Sequence, residues 1–191
     1  YLGFSNVYKK PELLNAQQYA EIMAEAYAAN NRTFDFADLV PDWDRIQSGE
    51  WEGTNWFDEI TVKNAGVMSH ALNVTGGSER STYSLGASYL SEQGTLGKQA
   101  NSVYKRLNFR LNSEHTIIEK GGRDILIIGE NLAFTNTKNP TVRTGSIYWS
   151  DVHNMMVASP FLPMYDSTGD YHYAIGWNTN EPNPVALMEY N

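Results

Sequence analysis

Between Thr82 and Asn112 polar and apolar residues alternate with a period of two. From Thr82 to Tyr89, the side chains of Tyr83, Leu85, Ala87 and Tyr89 fall on one side and those of Thr82, Ser84, Gly86 and Ser88 on the other. Successive side chains of a strand point to opposite faces, so one face is aromatic and aliphatic and the other small and polar. The run from Val103 to Asn112 follows the same rule. Val103, Leu107, Phe109 and Leu111 oppose Tyr104, Arg106, Asn108, Arg110 and Asn112, with Lys105 the one exception. A sheet with two such faces meets two different environments, and the apolar one is either a protein core or lipid.

The pattern predicts four strands, at about 67–75, 82–91, 103–116 and 124–136. Gly76-Gly77-Ser78-Glu79-Arg80 reads as the turn between the first two, and Glu119-Lys120-Gly121-Gly122-Arg123 as the turn between the last two. Pairing Val74 with Tyr83 and Leu72 with Leu85 keeps apolar side chains together, at the cost of placing His70 among them. In the fourth strand Leu126, Ile128, Leu132 and Phe134 share a face that Glu130 interrupts, opposite Ile125, Ile127, Gly129, Asn131, Ala133 and Thr135.

Ahead of the strands lies a helix at about 16–29. Asn15 and Gln18 have capping-box spacing, and Leu14 is placed to staple onto Tyr19. Tyr19, Ile22, Met23, Ala26 and Tyr27 then recur at helical intervals, a packing stripe rather than a ligand set. Short helical turns suit Asp44-Arg45-Ile46 and Trp56 to Ile60 within an otherwise irregular stretch, 31–66. From 137 to 191 the periodicity dissolves into a long loop rich in Trp, Tyr, Pro and Asn, with a short helix expected near 148–156. Tyr1-Leu2-Gly3-Phe4 reads as the end of a strand, so a piece of something larger is expected.

Tight turns after the first and third strands contrast with long connections elsewhere. Transmembrane barrels have this asymmetry, with outward apolar residues alternating with inward polar ones. The fold class expected is therefore mostly β: antiparallel strands of part of a transmembrane β-barrel, with long outward loops carrying short helices. An antiparallel sheet on an ordinary core would show the same alternation.

Composition narrows the functions. The chain has 191 residues, enough for a sizeable core, with 12 Tyr and 5 Trp, an aromatic load that suits interfaces, sugar-binding surfaces and membrane belts. A net charge of −8 without any basic run argues against a general nucleic-acid binder. Cysteine is absent, which removes disulfides, thiolate catalysis and cysteine-ligated metals. No apolar stretch is long enough for a spanning helix, and no basic-then-apolar start resembles a signal peptide.

Candidate chemistry is sparse. Asp35, Asp38, Asp42 and Asp44 invite a glycosidase pair or a calcium loop, but the spacing fails the EF-hand pattern and reads better as a solvated acidic loop. His70, His115, His153 and His172 are scattered, without a zinc spacing. Ser78, Ser81 and Ser84 lack a nucleophile-elbow setting, and Gly121-Gly122 lacks the Lys-Ser/Thr of a phosphate loop. No catalysis, metal or cofactor is expected. Tyr148, Trp149, Tyr165, Tyr171, Tyr173 and Trp177 are the better candidates, either for stacking on sugar rings or partners or simply for folding a large loop.

Several strings resemble one family. Leu13 to Tyr19 (LLNAQQY) resembles a helix start of the form LLNAxEYA, and Thr54 to Ile60 (TNWFDEI) a string of the same form. Asn73 to Tyr83 (NVTGGSERSTY) resembles NLSVSGGSEKSTYY, Tyr89 to Gly94 resembles GYLNQEG, and Arg106 to Asn112 is similar to RxNxRLN. These are strings of the SusC/RagA group of TonB-linked outer-membrane nutrient transporters. The matches run in the family's order from residue 13 to residue 112, and the aromatic-rich tail carries none.

The resemblance implies a segment of the early barrel, located in the cell outer membrane. The whole transporter would import glycans or peptides, working with a SusD-like surface lipoprotein and with TonB through a plug segment missing here. It also implies periplasmic turns at Gly76-Gly77 and Gly121-Gly122, and outward placement of residues 8–66, 92–102 and 137–191. Tyr83, Leu85, Tyr89, Leu107, Phe109, Leu111, Leu132 and Phe134 would meet the lipid bilayer, and Arg106, Asn108, Arg110, Asn112 and Asn131 the lumen. Glu130 would then lie near a membrane interface or at a bulge. The alternative is a soluble surface β-protein that binds glycans through its aromatic loops; a glycan hydrolase is the weakest reading.

Overall fold

The computed structural model describes residues 1–143, 145–146, 150–173 and 183–189. They divide into two units. The first unit comprises Tyr1–Asn6, Asn64–Gly94 and Ser102–Thr141; the second comprises Val7–Lys63, Thr95–Asn101 and Val142–Asn191.

The first unit is an open, five-stranded antiparallel sheet of β1 (Leu2–Ser5), β2 (Ala65–Ser78), β3 (Ser81–Gln93), β4 (Val103–Lys120) and β5 (Arg123–Lys138), paired in chain order. Its strands outrun the expected bounds because they continue beyond the alternating core of each run. β4 spans 18 residues and β5 16, well above the usual five or six.

The register departs from expectation by two residues. Val74 pairs with Leu85, Leu72 with Ala87, and Gly76 with Tyr83. The hairpin closes at Ser78↔Ser81, so Gly76 and Gly77 belong to the strand and not to a turn. A slip of two preserves both faces, and alternation alone is blind to it. Gly76 has its own reason: a Cβ there would run into the Tyr83 ring lying across it.

Gly121 and Gly122 do form a turn, with φ of 60° and 72°, the pair of positive values required by a two-residue hairpin of the primed type. Near this end two bulges face each other. Thr116 pairs with Ile127 and Ile118 with Leu126, which leaves Ile117 extra on β4. Glu119 then pairs with Asp124, which leaves Ile125 extra on β5.

The second unit holds the buried core. It contains α1 (Ala16–Ala28), α2 (Phe36–Leu39), α3 (Trp43–Gln47), α4 (Trp56–Ile60), α5 (Asp151–Val157) and α6 (Pro184–Glu189). Asn15 and Gln18 make the reciprocal capping box at the start of α1. Leu13 rather than Leu14 packs with Tyr19 against the core, and Leu14 stays exposed.

Ala16, Val40, Ile46, Trp56, Ile60, Met155, Phe161, Leu162, Val185 and Met188 are almost completely buried together. Five of these come from the stretch expected to be a long loop. Its lack of periodicity hid them, because they reach the core from short helices and turns. The Trp56 indole Nε1 donates to Ser159 O at 2.9 Å and the Thr54 hydroxyl to Leu162 O at 2.7 Å, tying that stretch to α4.

Candidate functional site

The sheet's apolar face is built in rows across the strands. Leu72, Ala87, Phe109 and Phe134 form one row, and Val74, Leu85, Leu111 and Leu132 the next. On one side lies a mixed row of His70, Tyr89, Leu107 and Asn136, followed by Met68, Ser91, Lys105 and Lys138. On the other side lie Gly76, Tyr83, Ser113 and Glu130, followed by Ser78, Ser81, His115 and Ile128.

The face is apolar in the middle and polar at both ends, with Tyr83 and Tyr89 flanking the middle. Its large side chains are not packed away. Leu72 is 62% exposed, Leu132 53% and Phe134 52%. Tyr83 and Leu107 are likewise exposed, while Leu85, Tyr89, Phe109 and Leu111 are partly shielded by their neighbours.

Glu130 lies on this face, one row beyond the apolar centre. The Ser113 hydroxyl donates to its carboxylate at 3.3 Å, and Glu130↔Ser113 is an ordinary ladder pair. The bulge explanation for Glu130 therefore fails, since both bulges lie nearer the hairpin tip. His115 joins the same polar end through a 3.0 Å contact between Nδ1 and the Ser81 hydroxyl.

The opposite face is a shallow trough around Gly86, lined by Asn73, Ser84, Ser88, Arg106, Asn108 and Arg110 among others. Arg106 Nε donates to Asn108 Oδ1 at 3.0 Å, Asn108 Nδ2 donates to the Ser88 hydroxyl at 3.0 Å, and the Thr135 hydroxyl donates to Asn108 Oδ1 at 3.0 Å. These bonds form a polar ladder across β3, β4 and β5. Asn112 lies along the same face, beside Asn131. Neither arginine has an ion pair among the described residues.

Of the candidate aromatics in the second unit, Tyr148, Trp149 and Trp177 lie outside the described residues. Tyr165 and Tyr171 stack with ring centroids 5.3 Å apart at 21°, and Tyr165 and Tyr173 are about half exposed. The stack is the base of a small loop closed by the Asp166 N–H donating to Asp170 O at 2.8 Å. Asp166 accepts from the Thr168 hydroxyl at 2.6 Å and from the Thr168 N–H at 2.8 Å. Those bonds hold its carboxyl below the ordinary range. Tyr171 donates its hydroxyl to the Glu189 carboxylate. Burial first, and the Glu189 charge with that bond second, push the phenol well above its ordinary value.

The acidic run has local duties. Asp35 caps α2, while Asp42 and Glu50 pair with Arg45. The sequence reading missed Asn183, which is completely buried. Its Nδ2 donates to Met164 O at 2.9 Å and His172 O at 3.0 Å, and its Oδ1 accepts from the Val185 and Ala186 N–H groups. The signal was present: Asn followed by Pro is a helix cap followed by a first-turn proline. The pair of Arg143 with the buried Asp151, whose Oδ1 accepts from both Nε and Nη2 of the guanidinium, was missed as well, and nothing local announces it.

Among the described residues no helix is long and apolar enough to cross a membrane, which says nothing of crossing by strands. No family model matches the chain, and no curated protein matches it.

Proposed function

We propose that the sheet is part of a transmembrane β-barrel, belonging to an outer-membrane importer of the SusC/RagA type. The observation that carries this reading is the apolar face of β2–β5, which is wide, contiguous, backed by a polar trough and not covered by the sheet's own unit. From the Tyr89 row to the Tyr83 row is six residues of β3. That is ~20 Å along the strand, or about 15 Å of height at a tilt of ~40°, which fits within the ~25 Å apolar band of an outer membrane, with the polar rows of Lys105 and His115 at its two edges. Tyr83 and Tyr89 stand where interfacial aromatics are enriched.

Glu130 lies near one edge of the band, where a charge costs less than the ~2–4 kcal/mol of a cation at midplane. The trough with Arg106, Asn108, Arg110 and Asn112 faces the lumen in this reading. The strings between residues 13 and 112 extend it to import of glycans or peptides with a SusD-like surface lipoprotein and TonB, without catalysis.

The test is fractionation of the protein in its native cell. Recovery with the outer membrane and heat-modifiable migration on gels are expected. A chain that stays monodisperse in detergent-free buffer would overturn the proposal. The second reading, a soluble surface protein that binds glycans, is favoured by the exposed Tyr165 stacked on Tyr171. It requires sugar binding by the detergent-free protein that Tyr165→Ala removes.

A further inference from the structure

Lys105 and Lys138 are direct partners across the β4–β5 ladder, both on the apolar face. Like charges directly opposite one another destabilise a sheet, because their Cβ atoms stand only ~5 Å apart. Neither lysine has an ion pair among the described residues. Their neighbours on that face are Ser91 in the same row and Leu107 and Asn136 in the next. Glu92, the carboxylate close by in sequence, pairs with Tyr104 and points to the other face. In a chain of net charge −8, two adjacent lysines without a carboxylate call for an anion from outside.

Their position says which kind. The pair lies where the apolar rows end, remote from the Gly121–Gly122 turn, with a hydroxyl and an amide beside it. A phosphate there would take hydrogen bonds from two ammonium groups while its acyl chains run down over Leu107 and Phe134. We propose that Lys105 and Lys138 together hold the phosphate of an anionic membrane lipid. The alternative, two hydrated lysines that only discourage edge pairing, gives no preference among lipids. The proposal rests on the membrane reading of the sheet.

The experiment reconstitutes the full protein in phosphatidylcholine vesicles and adds spin-labelled lipids. The spectrum separates motionally restricted lipid at the protein surface from bulk lipid. A spin-labelled phosphatidic acid should be enriched over spin-labelled phosphatidylcholine on the order of thirtyfold, from the attraction of two lysines near a membrane surface, each worth about fivefold. K105Q/K138Q should bring the ratio to one, whereas Lys98→Gln, at an exposed lysine elsewhere, should leave it unchanged.

Restricted lipid with no anionic preference, or with a preference that survives the double substitution, overturns the lysine site and leaves the membrane reading intact. No restricted lipid at all overturns the membrane reading itself. Loss of the preference in inorganic phosphate but not in chloride of equal ionic strength would make the occupant a free phosphate, which overturns the lipid.

Discussion

Trp56 and Phe134 are both large aromatic residues, yet one is 1% exposed and the other 52%. Trp56 sits in a unit whose helices fold over a shared interior, with its indole N–H bonded to a backbone carbonyl. Phe134 sits on a strand whose 16 residues are all exposed. The helical unit draws its stability from side chains buried against one another. The sheet has its ladder bonds and its alternation, and most of its large apolar side chains stay exposed. An exposed apolar patch of that extent marks a surface meant for something apolar. The contrast teaches that alternation by itself does not say where a greasy face goes; what covers it does.

The largest expected effect probes the helical unit. Trp56→Ala removes a buried indole and its hydrogen bond to Ser159 O, a loss of about 3–5 kcal/mol. Denaturant unfolding followed by far-ultraviolet circular dichroism reads it. A loss under ~1 kcal/mol, small for a buried indole, would mean that the interior is not organised around α4.

Next comes the sheet. Leu132→Arg should cost about 2–4 kcal/mol when the protein unfolds from lipid vesicles, while Asn131→Arg, one residue away on the trough side, should be nearly neutral. Equal penalties would erase the distinction between the two faces. Smaller still, Asn15→Ala should cost about 1 kcal/mol and Asn15→Asp should restore most of it, since either side chain can accept the Gln18 N–H.

The smallest effect is acid-dependent and local. The Asp166 carboxyl titrates below the ordinary carboxylate range because Thr168 bonds to its ionised form. Its contribution is therefore complete above the ordinary value and is lost as pH falls through the lowered one. Amide NMR shifts of Thr168 and Asp170 should move together in that strongly acidic window, and Asp166→Asn should abolish the transition. A transition left unchanged in that variant would assign the titration to another group.

Much of the sheet was legible because a period of two is a property of single strands, readable without a partner. Tyr83 shares a face with Leu85, and Phe109 with Leu111, by spacing alone. Which residue stands opposite which was not legible, since shifting β3 by two leaves each face as it was; the choice fell to the close fit of Tyr83 over Gly76 and to closure at Ser78↔Ser81. The α1 cap was readable because its donors and acceptors lie three residues apart. The interior of the second unit was not, because Trp56 meets Ser159 across 103 positions and no periodicity links them. Asn183 fell between: its Asn-Pro start was visible, but its grip on Met164 and His172 was not.

The two opposed bulges at Ile117 and Ile125 carry a consequence for how this hairpin can change. Each alone puts the two arms one step out of phase, and together they cancel. Deleting both isoleucines would shorten the arms equally and leave Gly121 and Gly122 at the apex. Deleting only one would leave the glycines at the apex but the other bulge uncompensated, putting the two arms one step out of phase, so drift in length here is smoothest in matched pairs.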